Sequence, residues 1–253
     1  VIRNSSNEIK VYVNGVNKLF TGTYNSSTYQ WEAPWVDVSP QPTVSGAISM
    51  HNASADTGIG SRMYDSGSST TYVPGFADGN IDEFRIAKGA AVWCEDFTPP
   101  TAAHTCTNPT SAECAAPSSV TLVHFDGDSS ESCTSSVVTT ADTGTVTHST
   151  STGAFAGGYV TYPGTTTDYT TISSSAASGA VDPLYWAGEF TVDFWINFAS
   201  VAAHEFIMSS GNAAWSGGCD GTFGFLRDHV GNLPFGSDPV WDIIVKGPDR
   251  RPF

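Results

Sequence analysis

The stretch that decides the fold is Phe190-Thr191-Val192-Asp193-Phe194-Trp195-Ile196-Asn197-Phe198. Because side chains alternate between the two faces of a β-strand, every second residue of this stretch shares a face. One predicted face is apolar and carries Phe190, Val192, Phe194, Ile196 and Phe198, whereas the other carries Thr191, Asp193, Trp195 and Asn197. The sequence therefore predicts a strand with one face in a hydrophobic core.

The same period of two runs through most of the chain. Glu8–Val13 alternates, Asn14-Gly15 is the preferred pair for a tight hairpin turn, and Val16–Phe20 returns. Further predicted strands are Ala47–Asn52, Asn80–Ala87, Val120–Phe125, Tyr159–Tyr162, Tyr169–Ile172, Glu205–Ser209, Thr222–Leu226 and Val240–Val245. No segment has a sustained helical stripe, so the pattern predicts an all-β sandwich or jelly roll.

Composition excludes several classes of protein. The 253 residues carry a formal net charge of −15, which excludes a general nucleic-acid binder and disfavours docking on an anionic membrane. No run of 18 apolar residues is present, so no membrane-spanning helix is expected. Aromatic residues make up 12% of the chain, which is enough to build a core and argues against disorder.

A family resemblance rests on five short motifs. Asn80–Gly89, with Trp93 and Phe97-Thr98-Pro99-Pro100, resembles the closing strand and tail of a laminin-G-like jelly roll, and Ile2–Gly15 resembles its middle hairpin. Leu122–Gly127 resembles the opening strand of that fold, and Glu189–Trp195 resembles its next core strand. Trp241–Val245 resembles the strand before the hairpin. Such concanavalin-A-like domains are frequent in phage and bacterial surface proteins, so the resemblance implies an antiparallel jelly-roll sandwich.

The order of these motifs is unusual. Residues 1–103 resemble the second half of such a domain and residues 118–253 the first half, with a Pro/Cys-rich linker at 104–117. The chain is thus expected to span about one period of a tandem array. Either the two halves form one permuted domain, with Asn80–Ala87 beside Val120–Phe125, or neighbouring copies complete them. We expect extensive contacts between copies, with shared strands or cores.

Calcium is the cofactor that the resemblance implies, because the family often carries this ion at a strand edge. The candidate ligands are Asp82, Glu83, Asp126 and Asp128, whose carboxylates offer the oxygens that calcium prefers. The alternative is structural. Asp126 would then cap a turn, and Asp82 or Glu83 would pair with Arg85 or Lys88.

Five cysteines occur, and none has the spacing of a zinc site. Cys106 and Cys114 are predicted to form a disulfide that staples the linker, with a further bridge from Cys94 or Cys133 left open. The alternative is that all five are reduced and buried. Few lysines, many Ser and Thr, and clustered cysteines together favour an oxidising, extracellular setting.

Carboxylate spacing argues against catalysis. Glu189 and Asp193 are roughly 13 Å apart on a strand, outside the range of about 5–9.5 Å that glycoside hydrolases use. Glycan binding instead needs exposed rings, for which Trp195 is the best candidate, with Trp31, Trp35 and Trp215 in loops. The alternative for these rings is burial against sheet edges or subunit interfaces.

The sequence therefore favours a non-catalytic structural or adhesive subunit of an extracellular assembly, such as a virion appendage or surface filament. A carbohydrate-binding module of a secreted enzyme or adhesin is the alternative. Expected partners are copies of the chain or neighbouring subunits, with glycans as a further candidate. The expected location is extracellular, on a cell or virion surface.

Overall fold

The structure is a computed structural model. It describes residues 1–5, 9–17, 20–25, 30–37, 56–60, 62–65, 70–73, 77–106, 115–133, 137–151, 153–155, 157–165, 167–176, 183–184, 188–199, 205–210, 223–228 and 240–245. Within these ranges the regular structure is entirely β, with no helix. The all-β prediction is confirmed.

Nineteen strands occur in the described residues. They are β1 (Ile2–Arg3), β2 (Ile9–Lys10), β3 (Tyr12–Val13), β4 (Val16–Asn17), β5 (Phe20–Asn25), β6 (Gln30–Asp37), β7 (Thr57–Ile59), β8 (Arg62–Asp65), β9 (Thr70–Val73), β10 (Asp78–Lys88), β11 (Ser119–Val123), β12 (Val138–Thr143), β13 (Thr147–Ser149), β14 (Tyr159–Pro163), β15 (Tyr169–Ser174), β16 (Phe190–Phe198), β17 (Glu205–Ser210), β18 (Phe223–Asp228) and β19 (Val240–Val245). The predicted strand Ala47–Asn52 lies outside the described residues.

Two sheets account for most of these strands, and every described strand pair is antiparallel. A seven-stranded sheet has the order β13-β14-β10-β16-β1-β2, with β11 also paired to β10. A six-stranded sheet has the order β12-β15-β7-β17-β18-β19. The remaining strands form the two-stranded pairs β3-β4, β5-β6 and β8-β9.

One hydrophobic core receives side chains from both sheets. The seven-stranded sheet contributes Phe84 and Val192, and the six-stranded sheet contributes Ile59 and Ile172, all of them buried. Phe194, Ile196 and Phe198 pack against this core while partly exposed, and Phe190 is fully buried. The apolar face predicted for β16 is therefore the core face, as in a β-sandwich.

β10 joins strands from distant parts of the chain. It pairs with β16 along one side and with β14 and then β11 along the other. The register Phe84↔Val123 through Lys88↔Ser119 confirms that Asn80–Ala87 and Val120–Phe125 are neighbours. In this structure the pairing lies within one chain. The domain boundaries at 103 and 118 stay a prediction.

Residues 89–106, which we call the outer segment, follow β10 and cover the face of the seven-stranded sheet opposite the core. Val92 and Trp93 are buried there with Ile2 and Ala87 in a second, smaller apolar cluster. The Val92 N–H donates to Thr191 Oγ1 at 2.8 Å, which ties the segment to the non-core face of β16. The polar face of β16, opposite the core, is thus also covered.

Candidate functional site

A β-bulge in β10 organises the polar side chains of the covered face. Asp82 faces Trp195 and Arg85 faces Asp193, so the register shifts between them. Glu83, inside the bulge, has φ of 52°, an uncommon conformation for a residue other than glycine. The extra residue lets Ile81, Phe84 and Ile86 all reach the core. Bulges of this kind re-aim side chains beside functional sites.

Glu83 uses both carboxylate oxygens in hydrogen bonds. Its Oε1 lies 2.6 Å from His124 Nδ1, and its Oε2 accepts a 2.7 Å bond from the backbone N–H of His104. The bond to Glu83 is the main reason that the pKa of His124 is raised, with the charges of Asp126 and Asp82 adding. A cation would therefore have to compete with two existing bonds at Glu83.

Asp82 differs from Glu83 because one of its oxygens lacks a partner. Its Oδ2 accepts a 2.7 Å bond from the Ala154 N–H, whereas its Oδ1 is buried without a hydrogen bond. The residue is only 5% exposed. Burial raises the pKa of Asp82 to about 6, with the charges of Glu83 and Asp126 adding. A buried carboxylate oxygen without a hydrogen bond needs either a proton of its own or a bound cation.

Asp126 reaches the same place from the turn after β11. Phe125, with φ of 61°, and Gly127, with φ of 100°, turn the chain there. Residues 153–155 and 157–158, which we call the glycine loop, pack on both carboxylates. A side chain at Gly157 would overlap the Asp126 carboxylate, and one at Gly153 would overlap Asp82 Oδ2. Both carboxylates therefore lie against the same loop.

Asp128 occupies a different environment. It is exposed, and its Oδ1 accepts a 2.8 Å bond from the Ser130 N–H, which lowers the pKa of Asp128. Among the described residues, no group of three or more His, Cys, Asp or Glu side chains is arranged to hold a metal ion. A cation between Asp82 and Asp126 would thus take its other oxygens from carbonyls and water.

Arg85 pairs with Asp193, a carboxylate considered from sequence only as a catalytic candidate. Its Nη2 and Nε donate to the two oxygens of Asp193 at 2.6 and 2.9 Å. Trp93 Nε1 donates to the same carboxylate at 3.2 Å, and His104 Nε2 lies 3.4 Å away. Burial alone would raise the pKa of Asp193, but the charges of Arg85 and His104 outweigh it and hold the pKa at about 2. This network fixes the outer segment to the sheet.

Trp195 is partly exposed on the covered face. It lies opposite Asp82 in the strand register and two residues along β16 from Asp193. Its ring meets Phe155 of the glycine loop edge to face, with centroids 5.4 Å apart. It also lines a cavity of about 170 Å³ beneath the outer segment. Trp31 and Trp35 lie in β6, where only the backbone is described, and Trp215 lies outside the described residues.

The predicted Cys106–Cys114 disulfide is wrong. Cys106 is bonded to Cys133, 27 residues away, with a Cα–Cα distance of 5.2 Å. The chain doubles back after β11, where Val123 bridges to Glu131, and this return carries Cys133 towards Cys106. Cys94 is also disulfide-bonded, and Cys114 and Cys219 lie outside the described residues. The alternative of five reduced cysteines is excluded as well.

No protein-family model, no curated protein and no solved structure matches the chain significantly. Within the described residues, no helix is long and apolar enough to cross a membrane.

Proposed function

We propose that the chain is a non-catalytic structural or adhesive module of an extracellular assembly, built on a laminin-G-like jelly roll. The observation that carries this proposal is the double attachment of the outer segment. The contacts of Trp93 and His104 with the Asp193 carboxylate, and the Cys106–Cys133 bridge, both tie it down. Disulfides persist in oxidising compartments, which supports a surface location on a cell or virion.

Contacts between copies are part of this proposal. The two regions of the chain already pair through β10 and β11, so a neighbouring copy either exchanges these strands or adds contacts elsewhere. The register places Ala87 opposite Val120. A cysteine at each of these positions tests the two arrangements, because the disulfide forms within one chain or between two.

The experiment combines non-reducing electrophoresis of Ala87→Cys/Val120→Cys with light scattering of the wild type. Covalent multimers in the double variant, absent from Ala87→Cys alone, support strand exchange. A cross-linked monomer from an oligomeric wild type supports assembly through other surfaces. A monomeric wild type with an internal cross-link contradicts self-assembly and leaves a single permuted domain.

We propose calcium as the ligand of the Asp82–Asp126 pair. The orphaned Asp82 oxygen and the adjacent Asp126 carboxylate offer oxygen ligands of the type that calcium takes. Calcium should raise the melting temperature of the wild type, and Asp82→Asn or Asp126→Asn should abolish that rise. Asp128→Asn is the control, because its carboxylate caps a surface turn. An unchanged melting temperature with calcium contradicts the site.

Carbohydrate binding is a second candidate function. It is favoured by the position of Trp195, whose partly exposed ring lines a cavity instead of lying wholly in the core. Retention on columns of neutral polysaccharides tests it. Loss of retention in Trp195→Ala, with the variant still folded by circular dichroism, is the expected result.

A further inference from the structure

The last residues of the outer segment are attached to the sheet differently from the first ones. Near its start, Val92 and Trp93 are buried in the second apolar cluster. Residues 101–106, which we call the arm, have no regular structure, and every residue of the arm except His104 is exposed. Burial of apolar area therefore holds the start of the segment on the sheet, whereas the arm depends on polar contacts and on its disulfide.

His104 is the buried anchor of the arm. Its side chain is only 4% exposed, and its Nε2 lies 3.4 Å from Asp193 Oδ1. Its backbone N–H donates to Glu83 Oε2 at 2.7 Å, so His104 contacts two carboxylates of the outer face. Ordering the backbone of six residues costs more conformational free energy than these two contacts typically return. The arm therefore needs a second attachment to stay on the sheet.

The second attachment is the Cys106–Cys133 bridge, whose two ends lie in different surroundings. Cys133 belongs to a well-fixed part of the chain. The buried Glu131 accepts hydrogen bonds at its Oε1 from the N–H groups of Cys133 and Leu122, at 2.8 and 2.9 Å. The Ser132 N–H donates to the Leu122 carbonyl at 2.8 Å. The bridge thus joins the exposed end of the arm to a fixed point beside β11.

The exposed position of Cys106 makes the bridge accessible to thiols. Exposed disulfides are more readily reduced than buried ones, and they are often the regulatory ones. A dithiol reductant opens the bridge in two exchange steps. Its first thiolate attacks Cys106 Sγ, forms a mixed disulfide with it and releases Cys133 as a thiolate, which takes up a proton. The second thiolate attacks the reductant's own sulfur in the mixed disulfide and releases Cys106. Two electrons and two protons pass to the protein, and the reductant becomes a disulfide.

We propose that the Cys106–Cys133 bridge is a redox-sensitive latch on the outer face. While the bridge is oxidised, it keeps the arm on the sheet and His104 in contact with Glu83 and Asp193. Reduction releases the arm and uncovers these two carboxylates, while the buried start of the outer segment stays in place. The latch is closed in an oxidising setting, and it opens when the protein meets a dithiol reductant.

The test treats the native wild type with dithiothreitol, maps the alkylated cysteines by mass spectrometry and follows single amides by hydrogen-exchange NMR. Cys106 and Cys133 should become alkylated without denaturant. Exchange of the His104 N–H should then accelerate at least about tenfold, towards the rate of an unprotected amide. The Val92 N–H, bonded to Thr191 Oγ1, should stay protected. Cys106→Ser/Cys133→Ser is the control for the other bridge, at Cys94. It should show fast His104 exchange without reductant and no further change with it.

Three results overturn the inference. If the Cys106–Cys133 bridge resists dithiothreitol until the protein is denatured, it is a permanent structural bond. If the His104 N–H stays protected after reduction, the arm remains on the sheet without the bridge. If the His104 and Val92 N–H groups lose protection together, the bridge stabilises the whole fold and does not act on the arm alone.

Discussion

The two faces of the seven-stranded sheet are both covered, but by different chemistry. On the core face, Ile81, Phe84 and Ile86 pack against the six-stranded sheet with no exposure at all. On the other face, Asp82 and Glu83 accept hydrogen bonds from the glycine loop and the outer segment, and Arg85 forms an ion pair with Asp193 of β16. The core face stabilises the fold by burying apolar area, whereas the outer face holds polar groups in fixed positions.

This difference locates the candidate sites. Among the described residues, four buried polar atoms lack a hydrogen bond: Asp82 Oδ1, the Tyr12 hydroxyl, Thr57 Oγ1 in β7 and His148 Nδ1 in β13. Asp82 is the carboxylate among them, and it belongs to the outer face. The candidate calcium site therefore belongs to the outer face.

The largest expected effect lies on the core face. Phe84→Ala should lower the free energy of unfolding by about 3–5 kcal/mol, because it removes a fully buried ring and leaves a cavity. Phe97→Ala, in the partly exposed outer segment, should lower it by about 1–2 kcal/mol. Denaturant unfolding of both variants measures the contrast. Equal losses would show that the outer face is as much a hydrophobic core as the inner one.

The disulfide should come next. Replacing both Cys106 and Cys133 by Ser should lower the free energy of unfolding by about 3–4 kcal/mol, because the bridge closes a separation of 27 residues. The loss should be accompanied by faster hydrogen exchange at the His104 N–H, which donates to Glu83. Peptide mapping by mass spectrometry checks the pairing directly. A map with Cys106 joined to Cys114 would contradict it.

The core face was predictable from sequence, and the outer face was largely not. Alternation in Phe190–Phe198 identifies the core side chains, because a period of two is a local property. The bulge at Glu83 and the partner of Cys106 depend on which strands meet and in which register, which no local pattern records. From sequence, Arg85 is considered only as a partner of Asp82 or Glu83, whereas the strand register places it opposite Asp193.

The calcium candidates show the same division. Asp82 and Asp126 were predicted together, and the glycine loop does pack on both. Glu83 and Asp128 were predicted with them, but Glu83 bonds His124 and the His104 N–H, and Asp128 caps a turn. Asp82 and Glu83 are adjacent and both carry a carboxylate, but they have different partners because the bulge turns their side chains in different directions.

Acid should weaken the outer face through Asp193. Its folded pKa of about 2 lies below the ordinary value of 3.8, so its stabilising effect is complete above pH 4 and disappears as the pH falls through 2. The wild type should lose about 2 kcal/mol of unfolding free energy from this group over that range. In Asp193→Asn this part of the acid sensitivity should be absent, although the variant is less stable at neutral pH.

Denaturant titrations between pH 2 and pH 5 measure this effect. Glu95→Gln serves as the control, since it removes an exposed carboxylate of the outer segment and should keep the acid sensitivity of the wild type. Identical pH dependence in the wild type and Asp193→Asn would contradict the assignment of Asp193 as the acid-sensitive group.

The smallest expected effect concerns Asp82, where a substitution should raise the free energy of unfolding instead of lowering it. Its folded pKa of about 6 lies above the ordinary value of 3.8, so its ionisation opposes folding as the pH rises through 6. At pH 7 without calcium, the buried, unpaired Oδ1 next to Asp126 therefore destabilises the protein. Asp82→Asn removes that charge, keeps an oxygen for the Ala154 N–H, and should raise the free energy of unfolding by about 1–2 kcal/mol.

Denaturant unfolding in chelator measures this gain in stability. Asp126→Asn, which removes the neighbouring charge from an exposed position, should give a smaller gain. A loss of stability in Asp82→Asn under these conditions would mean that the carboxylate has a partner on the outer face that stabilises its charge.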